Sequence, residues 1–248
     1  MQRRRRVVGI VLIAIAIVLF MFGQQSFTAP TYVPQTKPAP TTADDAADAS
    51  IEETTAAATV HPSLARDILQ RLEVKGRAPK TGYERTQFGD GWLLVGSCDM
   101  RNIILNRDLM DASVNDTCKV TSGVLADPYT GTTVTFTRGK DTSDIVQIDH
   151  VVALSNAWQT GAQQLSVEQR IAFANDPLEL LAVDGSANQA KGDGDAATWL
   201  PANKSFRCQY VARQIAVKYK YSLWVTGPEK EAMLRVLEGC PEQSLPSP

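Results

Sequence analysis

Asp149 and His150 stand side by side at the end of an apolar run, Ile145-Val146-Gln147-Ile148. An Asn188-x-x-Lys191 pair follows a second apolar run, Leu178 to Val183. Imidazole exchanges protons near neutrality, with an unperturbed pKa of about 6.5. The chain has 2 histidines, and His61 lies beside Pro62 at the edge of a linker-like stretch. Imidazole chemistry therefore falls to His150. Lys191, three residues after Asn188, shares its helix face and could pair with a phosphate. Neighbouring side chains on a flat strand diverge, however. Asp149 and His150 can serve one site only if the strand bends or bulges, or if the site lies at its edge.

The surrounding pattern supplies elements to hold these residues. Leu64, Ile68 and Leu72 mark one face of a helix over 61–74. Cys98-Asp-Met-Arg-Asn102 opens a helix through Ile103, Leu105 and Leu109. Asp127-Pro-Tyr-Thr-Gly131 is a turn, 132–137 alternates as a strand, and a strand over 144–154 carries the Asp-His pair. Residues 155–173 read as a helix with Ser166-x-x-Gln169 as a capping box. A strand over 178–183 leads through a turn into the helix that carries Asn188 and Lys191. A helix over 204–219 and a last one opened by Thr226-x-x-Glu229 complete the chain. The expected class is α+β, a small antiparallel sheet with helices around it.

Arg3 to Arg6 precede an apolar run of 17 residues, Val7 to Gly23. This reads as an export signal, and as an uncleaved anchor rather than a cleaved peptide, because the run reaches the roughly 17–25 residues that span a bilayer. No small-x-small cleavage site follows. Residues 24–60 are Pro, Thr, Ala and Asp, too poor in large apolar side chains to offset chain entropy, so they read as a disordered tether. The globular part is then 61–248, an extracytoplasmic domain tethered to the membrane or secreted after cleavage, and a monomer. Five basic and five acidic residues up to position 60 cancel, so this part carries the whole chain's −2. That balance gives no support for a general polyanion binder; such a site must be a local patch. Cys98, Cys118, Cys208 and Cys240 all fall in the exported part and fit two disulfides, the simplest of three connectivities being Cys98–Cys118 with Cys208–Cys240.

Strand, long loop, strand and helix, with Asp-His on the first strand and Asn on the helix, resembles the ββα-metal site of the HNH endonucleases. The branch it looks like is the one named for the C-terminal domain of GmrSD restriction endonucleases, often found in exported actinobacterial proteins. The carriers are Asp149-His-Val-Val-Ala-Leu154, Ala157-Trp158, Asn175 to Val183, Asn188-Gln-Ala-Lys-Gly-Asp193 and Trp199-Leu-Pro201, over roughly residues 83–225. The resemblance implies that Asp149 and Asn188 hold a divalent ion, Mg²⁺ or else Mn²⁺, and that His150 is the general base, with Lys191 beside them. It implies a nucleic-acid substrate, DNA rather than RNA. It departs at Glu179, which stands where the family has an Asn that ties the loop between the strands; glutamate can still accept from backbone N–H groups. Arg101, Lys204 and Arg207 are candidate phosphate contacts, with Lys218 on the same helix side as the last two. Two rivals stand beside the nuclease reading. One is an inactive HNH-like binding or envelope-interaction module; the other is an exported hydrolase of another polymer.

Overall fold

The computed structural model describes residues 63–246. The anchor and tether expected before position 61 lie outside them. No described helix is long and apolar enough to cross a membrane. Seven α-helices are α1 (Ala65–Arg71), α2 (Met100–Asp108), α3 (Leu154–Gln159), α4 (Val167–Ala174), α5 (Gly185–Lys191), α6 (Arg207–Lys220) and α7 (Gly227–Glu238). The strands are β1 (Leu94–Val95), β2 (Cys98–Asp99), β3 (Met110–Val114), β4 (Val120–Ala126), β5 (Thr133–Thr137), β6 (Val146–His150) and β7 (Leu180–Asp184). The class is α+β, but the strands form three small antiparallel sheets, β1-β2, β3-β4-β5 and β6-β7.

The β6-β7 pair lies between two cores. Leu181 and Val183 join the helical core, with Tyr129, Tyr210 and Phe173. Val146, Ile148, Leu180 and Ala182 join the second, with Ile104, Leu105 and Phe136. Burial on both faces explains why β7 reads as an unbroken apolar run. The ladder runs without irregularity from Val146↔Asp184 to His150↔Leu180.

Two expected elements differ. The helix over 155–173 is broken: α3 ends at Gln159, Gly161 takes φ 130°, and α4 starts afresh on the Ser166/Gln169 capping box. A side chain at Gly161 would meet Leu223 and Trp224 at 3.2 Å, so that corner packs tightly against the loop after α6. The strand expected over 144–154 ends at His150, where the chain turns into α3.

Both disulfides have the expected pairing, Cys98–Cys118 and Cys208–Cys240. The first ties the β1-β2 hairpin to the β3-β4 turn; the second ties the start of α6 to the residue pair after α7.

Candidate active site

β6 has one open edge, and the site lies along it. The pairing is antiparallel, and Ala182 N–H and Asp184 N–H turn away from β6, to Asp108 Oδ2 and Asp127 Oδ1, each at 2.8 Å. Their partners Ile148 and Val146, and His150 in the same register, therefore direct their own backbone groups away from β7. Arg101 Nη2 donates to the Val146 carbonyl at 3.0 Å, and Lys191 Nζ donates to the His150 carbonyl at 2.8 Å. A cleft of about 430 Å³ runs along this edge, lined by Gln147 through His150, Asn188, Arg101, Arg85, Trp92 and Asp193 among others.

Alternation puts Gln147 and Asp149 on the face that α5 covers. Helix α5 starts on Asp184, whose carboxylate accepts from Ala187 N–H at 2.8 Å. Its first residue must be glycine: a Cβ at Gly185 would sit 2.1 Å from the Asp144 carbonyl. This contact brings α5 down onto the strand, and Lys191 reaches Asp149 Oδ1 at 2.8 Å. The Tyr129 hydroxyl donates to Asp149 Oδ2. Burial still raises the Asp149 carboxyl above its usual range, against the pull of Lys191, Tyr129 and the His150 N–H.

Asn188 is oriented by a chain of amides. Gln147 Nε2 donates to the Asp144 carbonyl at 3.4 Å, which leaves Gln147 Oε1 to accept from Asn188 Nδ2 at 3.0 Å. A carbonyl can only accept, so the order of donors is fixed along the chain. Asn188 Oδ1 is the atom left for a ligand in the cleft. Each Asp149 oxygen holds one donor and keeps lone-pair capacity. One carboxylate and one amide oxygen can hold a hard cation that keeps waters and takes phosphate oxygens. Among the described residues no three His, Cys, Asp or Glu side chains converge, so no richer ligand set competes.

His150 comes from the opposite face, at the strand's end. Its Nε2 lies 3.0 Å from the Ala174 carbonyl. Nε2 must then carry the proton, and Nδ1 is the basic nitrogen. Trp92 stacks on the imidazole, centroids 5.8 Å apart and planes 4° from parallel. Burial chiefly, with the Arg85 and Lys191 charges, lowers the imidazole pKa to about 3 despite the Ala174 bond. The ring is therefore held in its neutral form. No bulge is needed: Asp149 and His150 leave β6 on opposite faces and reach one cleft because it lies at the strand's edge and end.

Glu179 is fully buried, and both its oxygens lie 3.2 Å from Val152 N–H. It therefore ties the loop after His150. Burial holds its carboxyl well above the usual range, opposed by Val152 N–H and Lys191.

The other sequence-derived residues divide. Arg101 lines the cleft; Asn102 does not, being spent on Asp99, Val120 and Arg138. Lys191 is buried under Asp149 rather than facing the cleft. Lys204 and Arg207 line a different pocket, and Lys218 is fully buried against Glu229. The sequence reading missed Arg85, Trp92, Gln147 and Tyr129. Arg85 is exposed, has no hydrogen-bond or ion-pair partner among the described residues, and sits where its charge reaches His150. Tyr129 sat in the Asp127–Gly131 motif with no role of its own assigned, and its ring packs against Trp199 and Tyr210 in the core.

Strand, strand and helix thus meet at an edge site with a backbone-anchored imidazole in an α+β domain. Residues 99–236 match the family "GmrSD restriction endonucleases, C-terminal domain", and the chain belongs to that family. It is also similar to an "Uncharacterized secreted protein" of Arthroderma benhamiae, 40% identical over 180 residues, which cover 72% of this chain and 85% of that protein. No solved structure matches. Arg85 and Trp92 lie upstream of the family-matched residues, so part of the cleft wall comes from outside them.

Proposed function

We propose that the chain is an exported, metal-dependent endonuclease of the HNH type that hydrolyses phosphodiester bonds, with DNA favoured as substrate. The observation that carries the reading is His150, anchored through Nε2 on the Ala174 carbonyl and lining one cleft with Asp149 and Asn188. His150 Nδ1 accepts the proton of the attacking water, a role typically worth about 10²–10⁴ in rate. A pKa of about 3 is low for a base. Burial is the main cause; a phosphate against Arg85 offsets the next one and moves the imidazole up toward its ordinary range. Asp149 and Asn188 would hold the cation, Mg²⁺ or Mn²⁺, which when bound offsets charge on the phosphate and the leaving oxygen. Arg101 and Arg85 supply positive charge along the cleft, and Lys191 fixes Asp149 from beneath.

The inactive-module alternative drew on Glu179. That side chain keeps a backbone contact to the loop, and burial favours its uncharged form. The secreted relative and the two disulfides support an extracytoplasmic location. A single anchored domain acting as a monomer completes the proposal.

The test is nicking of supercoiled plasmid with Mg²⁺ or Mn²⁺, with EDTA and His150→Ala in parallel. Metal-dependent nicking lost in His150→Ala is expected. Absence of nicking under every metal condition, or nicking that survives His150→Ala, overturns the reading.

A further inference from the structure

The largest cavity described, about 550 Å³, is not the catalytic cleft. Lys204, Arg207 and Arg235 line it over an apolar floor that includes Leu200 and Val236, and no carboxylate lines it. Arg207 is placed against the local helix field, whereas Arg235, in the last turn of α7, is placed with it. Arg207 opens the 14-residue helix α6, which has no side-chain cap and no acid in its first turn. Cations at the positive end of a helix are unfavourable unless an anion offsets them. The one acidic contact is Glu231 to Arg235, at 4.0 Å between two exposed side chains, which contributes little. Arg207 Nε donates to the Pro201 carbonyl at 2.7 Å, which aims the rest of its guanidinium. The Cys208–Cys240 bond fixes the α6 wall of the cavity to the end of α7.

The cavity adjoins the active site along the chain. Gly192 and Asp193 line the cleft, and Ala196 and Ala197 line the cavity.

We infer that the Lys204–Arg207–Arg235 cavity is a backbone exosite, which holds phosphates of the nucleic acid whose bond is cut in the cleft. The inference rests on the nucleic-acid reading of that cleft. Three phosphate contacts should contribute about 2–3 to the slope of log affinity against log salt. A substrate too short to leave the cleft gains nothing from them.

The experiment uses the full chain with disulfides intact, and the triple variant Lys204→Gln/Arg207→Gln/Arg235→Gln. Binding of a fluorescent DNA duplex is followed by anisotropy in EDTA over a salt series. Turnover of plasmid and of bis(p-nitrophenyl) phosphate is followed with Mg²⁺ or Mn²⁺. The expected result is a salt slope shallower by about 2–3, about tenfold weaker duplex binding and a raised KM for plasmid. Turnover of the small diester should stay unchanged. An Arg207→Lys/Arg235→Lys variant keeps the charges and should keep the slope, which separates lost contacts from lost fold. A salt slope unchanged in the triple variant overturns the exosite. So does a parallel fall in small-diester turnover, or a loss of binding to anionic phosphatidylglycerol vesicles with DNA binding intact. If the slope shifts but neither substrate is cleaved by either protein, the exosite stands and the nuclease reading fails.

Discussion

Replacing Lys191 by Met should cost more stability than any exposed charge change, and the loss should depend on Asp149. Lys191 Nζ is 2.8 Å from Asp149 Oδ1, with both side chains almost wholly buried. At an effective dielectric of about 20 the attraction at this distance is about 6 kcal/mol. Met spares the desolvation of the ammonium and fills similar volume, which offsets part of that. Breaking a buried pair on one side typically costs about 3–5 kcal/mol, because the partner stays buried and unpaired. That is about a fifth or more of the roughly 5–15 kcal/mol that holds a domain together. The assay is urea unfolding, disulfides intact, of the parent, Lys191→Met, Asp149→Asn and the double variant. The coupling between the two sites should be about 2–3 kcal/mol. The pH dependence has a definite sign. Burial already raises the folded-state Asp149 carboxyl, and losing Lys191 raises it further. The Lys191→Met penalty should therefore be full at neutral pH and shrink as pH falls and the carboxyl protonates. A loss under about 1 kcal/mol, or an equal loss in the Asp149→Asn background, would refute the ion-pair argument.

Three further outcomes follow from the same contacts. Glu179 has a raised folded-state pKa, so its contribution is full below the unfolded value of about 4.3 and is lost as pH rises through the folded value. Glu179→Gln keeps the neutral shape; its urea midpoint should gain on the parent's as pH rises above about 4.3, and a constant difference between the two counts against burial as the cause. kcat/KM reports the free enzyme, where the His150 pKa is about 3. It should show no imidazole inflection near about 6.5, and finding one there would contradict a buried, neutral ring. Gln147→Leu releases the Asn188 amide, and losses of outer partners typically weaken metal affinity about 10–100-fold. Calorimetric Mn²⁺ titration measures this directly, and an unchanged affinity would show that Gln147 orients nothing.

Parts of the fold were legible because the deciding forces are local. Ser166/Gln169 and Thr226/Glu229 form reciprocal capping boxes where the spacing puts them. β7 reads as apolar on both faces because it is buried on both. The β3-β4 hairpin was not legible. Met110–Val114 is largely exposed, carries no alternating apolar pattern, and pairs through two register shifts, so only its partner makes it a strand. Lys191 shows a different limit. Periodicity places it on the Asn188 face, as expected, but whether a long side chain there turns out to phosphate or in to a carboxylate depends on how deeply α5 sits on β6. Gly185 and the Asp144 carbonyl set that depth. Arg85 and Trp92 belong to a 3-10 turn and a loop placed by packing alone, and nothing local marks them.

The adjacency of Asp149 and His150 was the weak point of the sequence argument, and it is what the fold uses. On a central strand, alternation would send the two side chains into separate environments for good. β6 instead pairs on one side only and stops at His150. The face under α5 can then carry the carboxylate, its lysine and the amide. The opposite face carries the imidazole, its Ala174 anchor and the Trp92 plate. Separation has a chemical use. Lys191 lies under the carboxylate, yet its charge and that of Arg85 still reach His150 and help to keep the ring neutral. A bulge that brought both side chains to one face would set the imidazole against Asp149 as a hydrogen-bond partner, and the carboxylate would then raise its pKa and hold its proton. Placing the two residues on opposite faces of an open edge therefore keeps one residue free to bind a cation and its neighbour free to accept a proton.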